Sequence, residues 1–294
     1  MQEHPNPIAA AKPASGRAAK GPAAFLGPEG TFTHQAAIRH FGAAARFLSC
    51  ASIADVFEAV DRGQAEFGVV PVENSTEGAV SYTLDMFADS PARICAEIFL
   101  PIHHHLASSC ELRALKTLYS HPQVFGQCRH WLRRHLPAVA LVEAPSTSEA
   151  ARRAAAEPAC AGALASELAA QQCGLTIRER NIEDHPGNLT RFFVIGSHLP
   201  PPSGHDKTSL LFGIRDRVGA LLDSLEPFRR NQVSLSFIES RPSRRRNWEY
   251  QFYVDILGHC DDPPVRAALA ELAVICEFVK CLGSYPRATL PTAE

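Results

Sequence analysis

At 294 residues the chain is long enough for two compact units, and its 46% apolar content supports an ordinary globular core. A formal net charge of −2 supplies no long-range attraction to nucleic acid or to an anionic membrane, and the patch Arg244 to Arg246 is too short to change that, so the expected partner is a small molecule. No apolar run has membrane-spanning length, the first residues lack a secretory segment, and nine cysteines without a C-x-x-C pair support neither a disulfide framework nor a zinc site, so a cytoplasmic location is expected.

Residues 1–22, rich in Ala, Pro, Gly and Lys, have the composition of a disordered tail. Order is expected from the strand Ala23 to Leu26, followed by Gly27-Pro28-Glu29-Gly30-Thr31-Phe32-Thr33 and an alanine-rich helix. A strand, glycine loop and capped helix start offer backbone N–H groups to an anion, although a plain helix cap explains Thr31 equally well. Ser52 to Gly63 has helical spacing. The run Phe67 to Val72 reads as a buried strand ending in Glu73, Asn74 and Ser75, polar residues at the end of a strand where open α/β sheets bind ligands. A side-chain-capped turn is the plainer account.

Val80 to Phe87 predicts a helix, Arg93 to Leu100 a strand, and Pro101 to Ser108 a further strand with His103 and His105 on one face. Ser120 closes a strand ahead of a proline-started helix, Val139 to Glu143 is a short strand, and Ser146-Thr147-Ser148-Glu149 opens an Ala/Arg helix. Ala159 to Leu164 leads into another capped helix at Ser166. Strand-to-helix junctions near residues 31, 120, 147 and 166 predict an α/β fold with helices on both faces of open sheets. Pro186-Gly187-Asn188 then turns into a buried strand, Phe192 to Gly196, with Thr190 and Arg191 at its mouth. A hydroxyl and a planar guanidinium there suit an anionic substrate with a leaving oxygen.

The polar, proline-rich linker 198–206 precedes a change of pattern. Strand Lys207 to Ile214, a helix from Val218 to Phe228, alternating strands Gln232 to Glu239 and Trp248 to Asp255 joined by a turn over 241–247, a helix Pro263 to Ala273 and a strand Val274 to Leu282 make a βαββαβ order. That order is the ferredoxin-like split unit.

Taken in sequence, Gly27 to Thr33, Val70-Pro71-Val72-Glu73-Asn74-Ser75, Ser120-His121-Pro122-Gln123 and Thr190-Arg191-Phe192 resemble the prephenate dehydratase family, and the region after residue 206, with Gly219-Ala220-Leu221 and Glu239-Ser240-Arg241-Pro242, resembles its ACT regulatory domain. The resemblance implies a catalytic part over 23–197, with two lobes of the periplasmic-binding-protein type II kind and a cleft between them. It also implies an ACT domain over 207–287 and a tail over 288–294. The implied reaction is decarboxylative dehydration of prephenate to phenylpyruvate, toward phenylalanine, with no metal or organic cofactor. Carried onto this chain, Thr190 is the hydrogen-bond donor or general acid, Arg191 clamps a substrate carboxylate and Phe192 lies beside the departing one. Glu73, Asn74 and Ser75 line a wall of the site, with Thr31, Ser120, Thr147 and Ser148 as further substrate contacts.

The ACT resemblance implies phenylalanine binding at a dimer interface through Gly219, Ala220, Leu221, Ser234, Glu239, Ser240, Arg241 and Pro242, in a homodimer or homotetramer. Three departures from the pattern stand out: His105 replaces the Cys of a His-Cys-Leu motif at His104-His105-Leu106, Val218 stands where Pro is frequent, and Ser234 where Asn is common. An arogenate dehydratase and a non-catalytic amino-acid sensor are the alternatives.

Overall fold

A computed structural model describes residues 21–157, 159–243 and 250–291. The expected tail over 1–22 falls outside these except for its last two residues, as do most of the turn over 241–247 and the end of the tail over 288–294. In chain order the elements are β1 Ala23–Leu26, α1 Phe32–Phe41, β2 Phe47–Cys50, α2 Ile53–Asp61, β3 Phe67–Asn74, β4 Gly78–Ala79, α3 Ser81–Asp89, β5 Arg93–Pro101 and β6 His105–Ser108. They continue with β7 Thr117–Ser120, α4 Pro122–Gln127, α5 Arg129–His135, β8 Ala140–Glu143, α6 Thr147–Ala156, β9 Ala161–Ala165, α7 Glu167–Gln172, β10 Thr176–Glu179 and β11 Leu189–Gly196. The last six are β12 Asp206–Gly213, α8 Ala220–Arg230, β13 Leu235–Pro242, β14 Tyr250–Leu257, α9 Pro263–Ile275 and β15 Phe278–Pro286.

Two compact units emerge, and they do not follow the linker: one takes the residues up to Ser52 with Leu100–Thr190, the other Ile53–Phe99 with the residues from Arg191 on. In the first unit five strands lie in the order β10-β6-β9-β7-β8. Strand β7 is parallel to both β8 and β9, while β6 runs antiparallel to β9. Alternation along each strand sorts the side chains. Ala107, Ala163 and Ala165 pack with Ala150, Ala151 and Ala154 of α6, and small residues let that helix approach closely. Leu106, Leu118 and Leu164 pack with Val124, Cys128 and Leu132 of α4 and α5 on the other side. Helices thus cover both faces, as predicted. Cys110 and Cys160 are joined as a disulfide with Cα atoms 5.8 Å apart, a pairing that cysteine spacing did not suggest.

In the second unit β3, β11 and β5 lie side by side, with a core in which Phe57, Phe87 and Phe193 meet edge to face. Strands β13-β14-β12-β15 form an antiparallel sheet, and β12-α8-β13-β14-α9-β15 reproduces the expected βαββαβ order. One face of this sheet, carrying Leu210, Phe212, Phe252, Val254 and Ile256, packs on Phe228 of α8 and Ala268 and Leu272 of α9. Contacts outside that core explain the grouping. Lys280 Nζ donates to Phe87 O at 2.7 Å and Ser90 O at 2.8 Å, capping α3, and Gly283 lies against the backbone of Ile94, where a Cβ would clash. Among the described residues no helix is long and apolar enough to cross a membrane.

Three local expectations are corrected. Thr190 and Arg191 lie within β11 and not at its mouth, because the strand begins at Leu189. Of Pro101 to Ser108 only His105–Ser108 forms a separate strand, since Pro101 still belongs to β5. Arg241 and Pro242, expected to begin the turn over 241–247, still belong to β13 and pair with Gln251 and Tyr250 of β14.

Candidate functional site

The first unit collects polar groups at one sheet edge. Parallel β7, β8 and β9 end together, and each is followed by a helix capped by His121, Ser146 or Ser166. His105, opposite Ala165 at the start of β6, belongs to the same edge. Thr31 caps α1 by accepting from His34 N at 3.4 Å, and its own hydroxyl is held by Pro28 O and Leu26 O at 2.9 and 3.1 Å. Ser166 Oγ donates to Gly30 O at 3.0 Å, tying the glycine loop to α7. Gly30 has φ +82°, and a side chain there would also meet Ala169 and Gln172.

Ser120 does not aim at a helix start: it is fully buried and donates to Leu164 O at 3.0 Å, while His121 caps α4. Thr147 and Ser148 are buried in the first turn of α6, whose cap is Ser146. Sequence reading missed the surroundings of His104. Its Nε2 meets Gln127 Oε1 at 2.8 Å, Glu183 accepts from its backbone N–H at 3.0 Å, and its buried Nδ1 has no hydrogen-bond partner in the structure. Burial keeps His104 and His105 neutral, lowering His105 to about 4 against a weaker upward pull from Glu167.

The remaining expected residues are in the second unit. Asn74 Oδ1 accepts from Thr76 N at 2.9 Å and Glu77 N at 3.1 Å, which is the capped turn of the plainer reading; Ser75 beside it is exposed. Arg191, expected to clamp a substrate carboxylate, is engaged by carboxylates of the chain itself. Its Nε donates to Glu97 Oε2 at 2.8 Å, Nη1 lies 2.6 Å from Asp255 Oδ2, and Nη2 donates to the Tyr285 hydroxyl at 3.1 Å. Glu73 Oε2 is farther, at 3.8 Å, and the Phe193 ring lies 4.7 Å below the guanidinium carbon. Burial opposes the charge, but Tyr285, Asp255 and Glu97 outweigh it and hold Arg191 firmly protonated. None of these partners was legible locally, since they come from β5, β14 and β15. Phe192, next along β11, is buried.

A cavity of about 260 Å3 opens where β12 ends and β14 begins, lined by Asp216, Gly219, Ala220, Leu221, Tyr250 and Phe252, among others. Gly219 caps α8 with φ +79°, a left-handed conformation that suits glycine, and the helix start that it caps lines the cavity. Ser234, Glu239, Ser240, Arg241 and Pro242 are not among the lining residues. Ser240 and Pro242 instead pair across the ladder with Phe252 and Tyr250, and Arg241 forks onto Asp85 at 3.1 and 3.2 Å. His259, Cys260 and Asp261 each bring a ligating atom within 4.8 Å of the others, although His259 Nδ1 already accepts from Asp261 N at 3.1 Å.

A doubly wound sheet with capped helices along its parallel edge, together with a ferredoxin-like sheet bearing a glycine-capped cavity, defines an α/β enzyme with an ACT-type module. Residues 23–199 match the prephenate dehydratase family and residues 208–274 the ACT domain. The chain is 47% identical over 268 residues to a bifunctional chorismate mutase/prephenate dehydratase of Aquifex aeolicus, covering 91% of this chain and 74% of that protein. It is 37% identical to a prephenate dehydratase of Mycolicibacterium vanbaalenii, with 90% of each covered. Its fold resembles a prephenate dehydratase from Arthrobacter aurescens solved in complex with L-Phe, at TM-score 0.84 and 36% identity over 90% of each chain. It also resembles GqqA, described as a quorum-quenching acylase, at TM-score 0.83 and 30% identity over 90% of this chain and 98% of that one. The chain belongs to the prephenate dehydratase family and carries an ACT domain.

Proposed function

We propose that the chain converts prephenate to phenylpyruvate and is inhibited by phenylalanine bound in the cavity beside Gly219. The observation that carries the reading is the family match over 23–199, which includes Thr190 on β11. Chemically, the C–CO2 bond breaks and its electron pair enters the ring as the C–O bond breaks. The departing hydroxide takes a proton, so that the dianion plus one proton yields phenylpyruvate, carbon dioxide and water. Aromatisation supplies the driving force, and the demanding step is expulsion of the oxygen. Thr190 is the proposed donor to it, orienting or relaying the proton, since a threonine hydroxyl is too weak an acid to act unaided.

Thr31, Ser120, Thr147 and Ser148 remain candidates for substrate binding as parts of the first unit's polar edge, Ser120 through the backbone that it braces. Glu73, Asn74 and Ser75 are candidates in the second unit, and Phe192 is the proposed apolar neighbour of the leaving carboxylate. Arg191 is assigned a positioning role. No cofactor is required, because the substrate carries its own electron source. In the ACT domain Val218 is wholly exposed and Leu222 is 71% exposed beside the cavity, which supports a second copy of the chain as the cover and hence at least a homodimer.

The test is phenylpyruvate formation from prephenate by the purified chain, with arogenate run in parallel and phenylalanine added. Turnover of prephenate that phenylalanine suppresses supports the reading. Turnover of arogenate alone moves the assignment to an arogenate dehydratase. Inertness toward both, with phenylalanine still bound, leaves the sensor, and hydrolysis of an acyl amide instead points to the chemistry ascribed to GqqA.

A further inference from the structure

Neighbouring residues of a strand point to opposite faces, so Arg191 reaches away from the side that carries Thr190. Its own face holds Phe193 and meets the ACT sheet on the side opposite α8 and α9. Strand β14 is divided in the same way. Phe252, Val254 and Ile256 enter the helix-covered core, and Asp255 points to the other face toward Arg191. Phe252 also lines the cavity, so one strand touches both the cavity and the Arg191 cluster.

The cluster closes on itself. Ser209 Oγ donates to Asp255 Oδ1 at 2.5 Å, which obliges the Tyr285 hydroxyl, 2.7 Å from Ser209 Oγ, to be the donor of that pair. Tyr285 in turn accepts from Arg191 Nη2, and the ring is closed by the ion pair of Arg191 Nη1 with Asp255 Oδ2 at 2.6 Å. Every hydroxyl of this ring both donates and accepts in a single direction, so the loss of one member breaks the sequence. Outside the ring, Glu97 takes Arg191 and Lys207 on one oxygen and Ala288 N–H on the other, balancing two buried cations with two carboxylates. Donation runs from Arg191 to Asp255 by both routes, directly and through Tyr285 and Ser209, so neither hydroxyl can reverse while both ends hold, and the ring adapts poorly to a shifted strand.

We propose that Asp255 and Tyr285 are positioning residues that couple occupancy of the β14 cavity to the strand carrying Thr190. The proposal rests on the reading of Thr190 and the cavity given above. Filling the cavity displaces β14 at Phe252, Asp255 moves with it, and Arg191 transmits the displacement to β11.

The deciding experiment compares full-length wild type with Asp255→Asn and Tyr285→Phe. Three quantities are followed: phenylalanine affinity by calorimetry, inhibition of prephenate turnover with kcat and KM resolved, and hydrogen exchange of the β11 segment with and without phenylalanine. The expected result is phenylalanine affinity within about twofold of wild type, a half-inhibitory concentration raised about tenfold or more, and loss of the phenylalanine-dependent change in β11 exchange. Undiminished inhibition and an unchanged exchange response overturn the proposal, as does a loss of phenylalanine affinity that accounts for the loss of inhibition. If Asp255→Asn does not fold, Tyr285→Phe, which deletes one oxygen, decides by the same readouts. A wild type inert on prephenate, yet with a β11 exchange response to phenylalanine that needs Asp255, refutes the catalytic reading and leaves the coupling standing. A wild type that does not bind phenylalanine overturns both the effector reading and the proposal.

Discussion

Arg191 Nη1 lies 2.6 Å from Asp255 Oδ2, and both side chains are almost wholly withdrawn from solvent, at 5% and 4% exposure. Residues 64 positions apart in the chain thereby share one buried charge pair. Such a pair persists because each nitrogen of the guanidinium faces a partner: Glu97 takes Nε and, with Tyr285, the second Nη.

Breaking the cluster from the Glu97 side is expected to destabilise the second unit. Glu97→Gln leaves Arg191 and Lys207 with Asp255 as their one buried carboxylate, and removal of one partner from a buried ion pair costs about 3 to 5 kcal/mol. Urea unfolding monitored at equilibrium measures this. A shift under about 1 kcal/mol would show that water reaches the cluster. Arg191→Lys is expected to be damaging as well, because an ammonium cannot serve three partners arranged around a planar fork.

Thr190→Ala is expected to lower kcat about 10²- to 10⁴-fold, the range of positioned proton transfer, while the circular dichroism spectrum and unfolding midpoint stay near those of wild type. Thr190→Ser, which keeps the hydroxyl, should recover most of the rate. Equal loss in both variants would assign the effect to packing of the methyl group instead of to the hydroxyl.

Acid sensitivity follows from the buried histidines of the first unit. His105 is lowered by burial from the ordinary 6.5 to about 4, so between these values the unfolded chain binds a proton that the folded chain resists. The resulting stability is fully present above pH 6.5 and is lost progressively as the pH falls toward 4. His105→Gln cannot be protonated and should flatten this dependence. The check is the difference in urea midpoint between pH 7 and pH 5, expected to be smaller in the variant; an unchanged difference would exclude His105 as the source.

Leu222→Asp is expected to shift the chain toward monomer in sedimentation velocity, since the exposed Leu222 and Val218 flank the cavity that a second copy is proposed to cover. Phenylalanine should then bind more weakly. A variant that remains oligomeric with full affinity would move the interface elsewhere.

Periodicity and local chemistry made much of the architecture readable in advance. Alternation and helical spacing are local properties, so the βαββαβ order and the caps at Thr31, Ser146 and Ser166 followed from residues within a few positions of each other. Thr190-Arg191-Phe192 and Gly219-Ala220-Leu221 were singled out as wording, and the family match supports the ranges containing them. Short strands were harder: β2 and β10, four residues each, are too brief to show a period, and β4 has only two.

What the sequence by itself determined was therefore the kind and order of most of the longer elements and the family to which the chain belongs. Only the tertiary structure decided the partners of the polar side chains. Ser120, at the strand end ahead of a proline-started helix, braces Leu164 on the adjacent strand; Arg241, expected in the turn over 241–247, lies in β13, paired with Asp85 of α3. The physical reason is distance along the chain. A buried charge must find its counter-charge wherever folding brings one, and for Arg191 those partners lie 94 and 64 residues away, on strands β5 and β14.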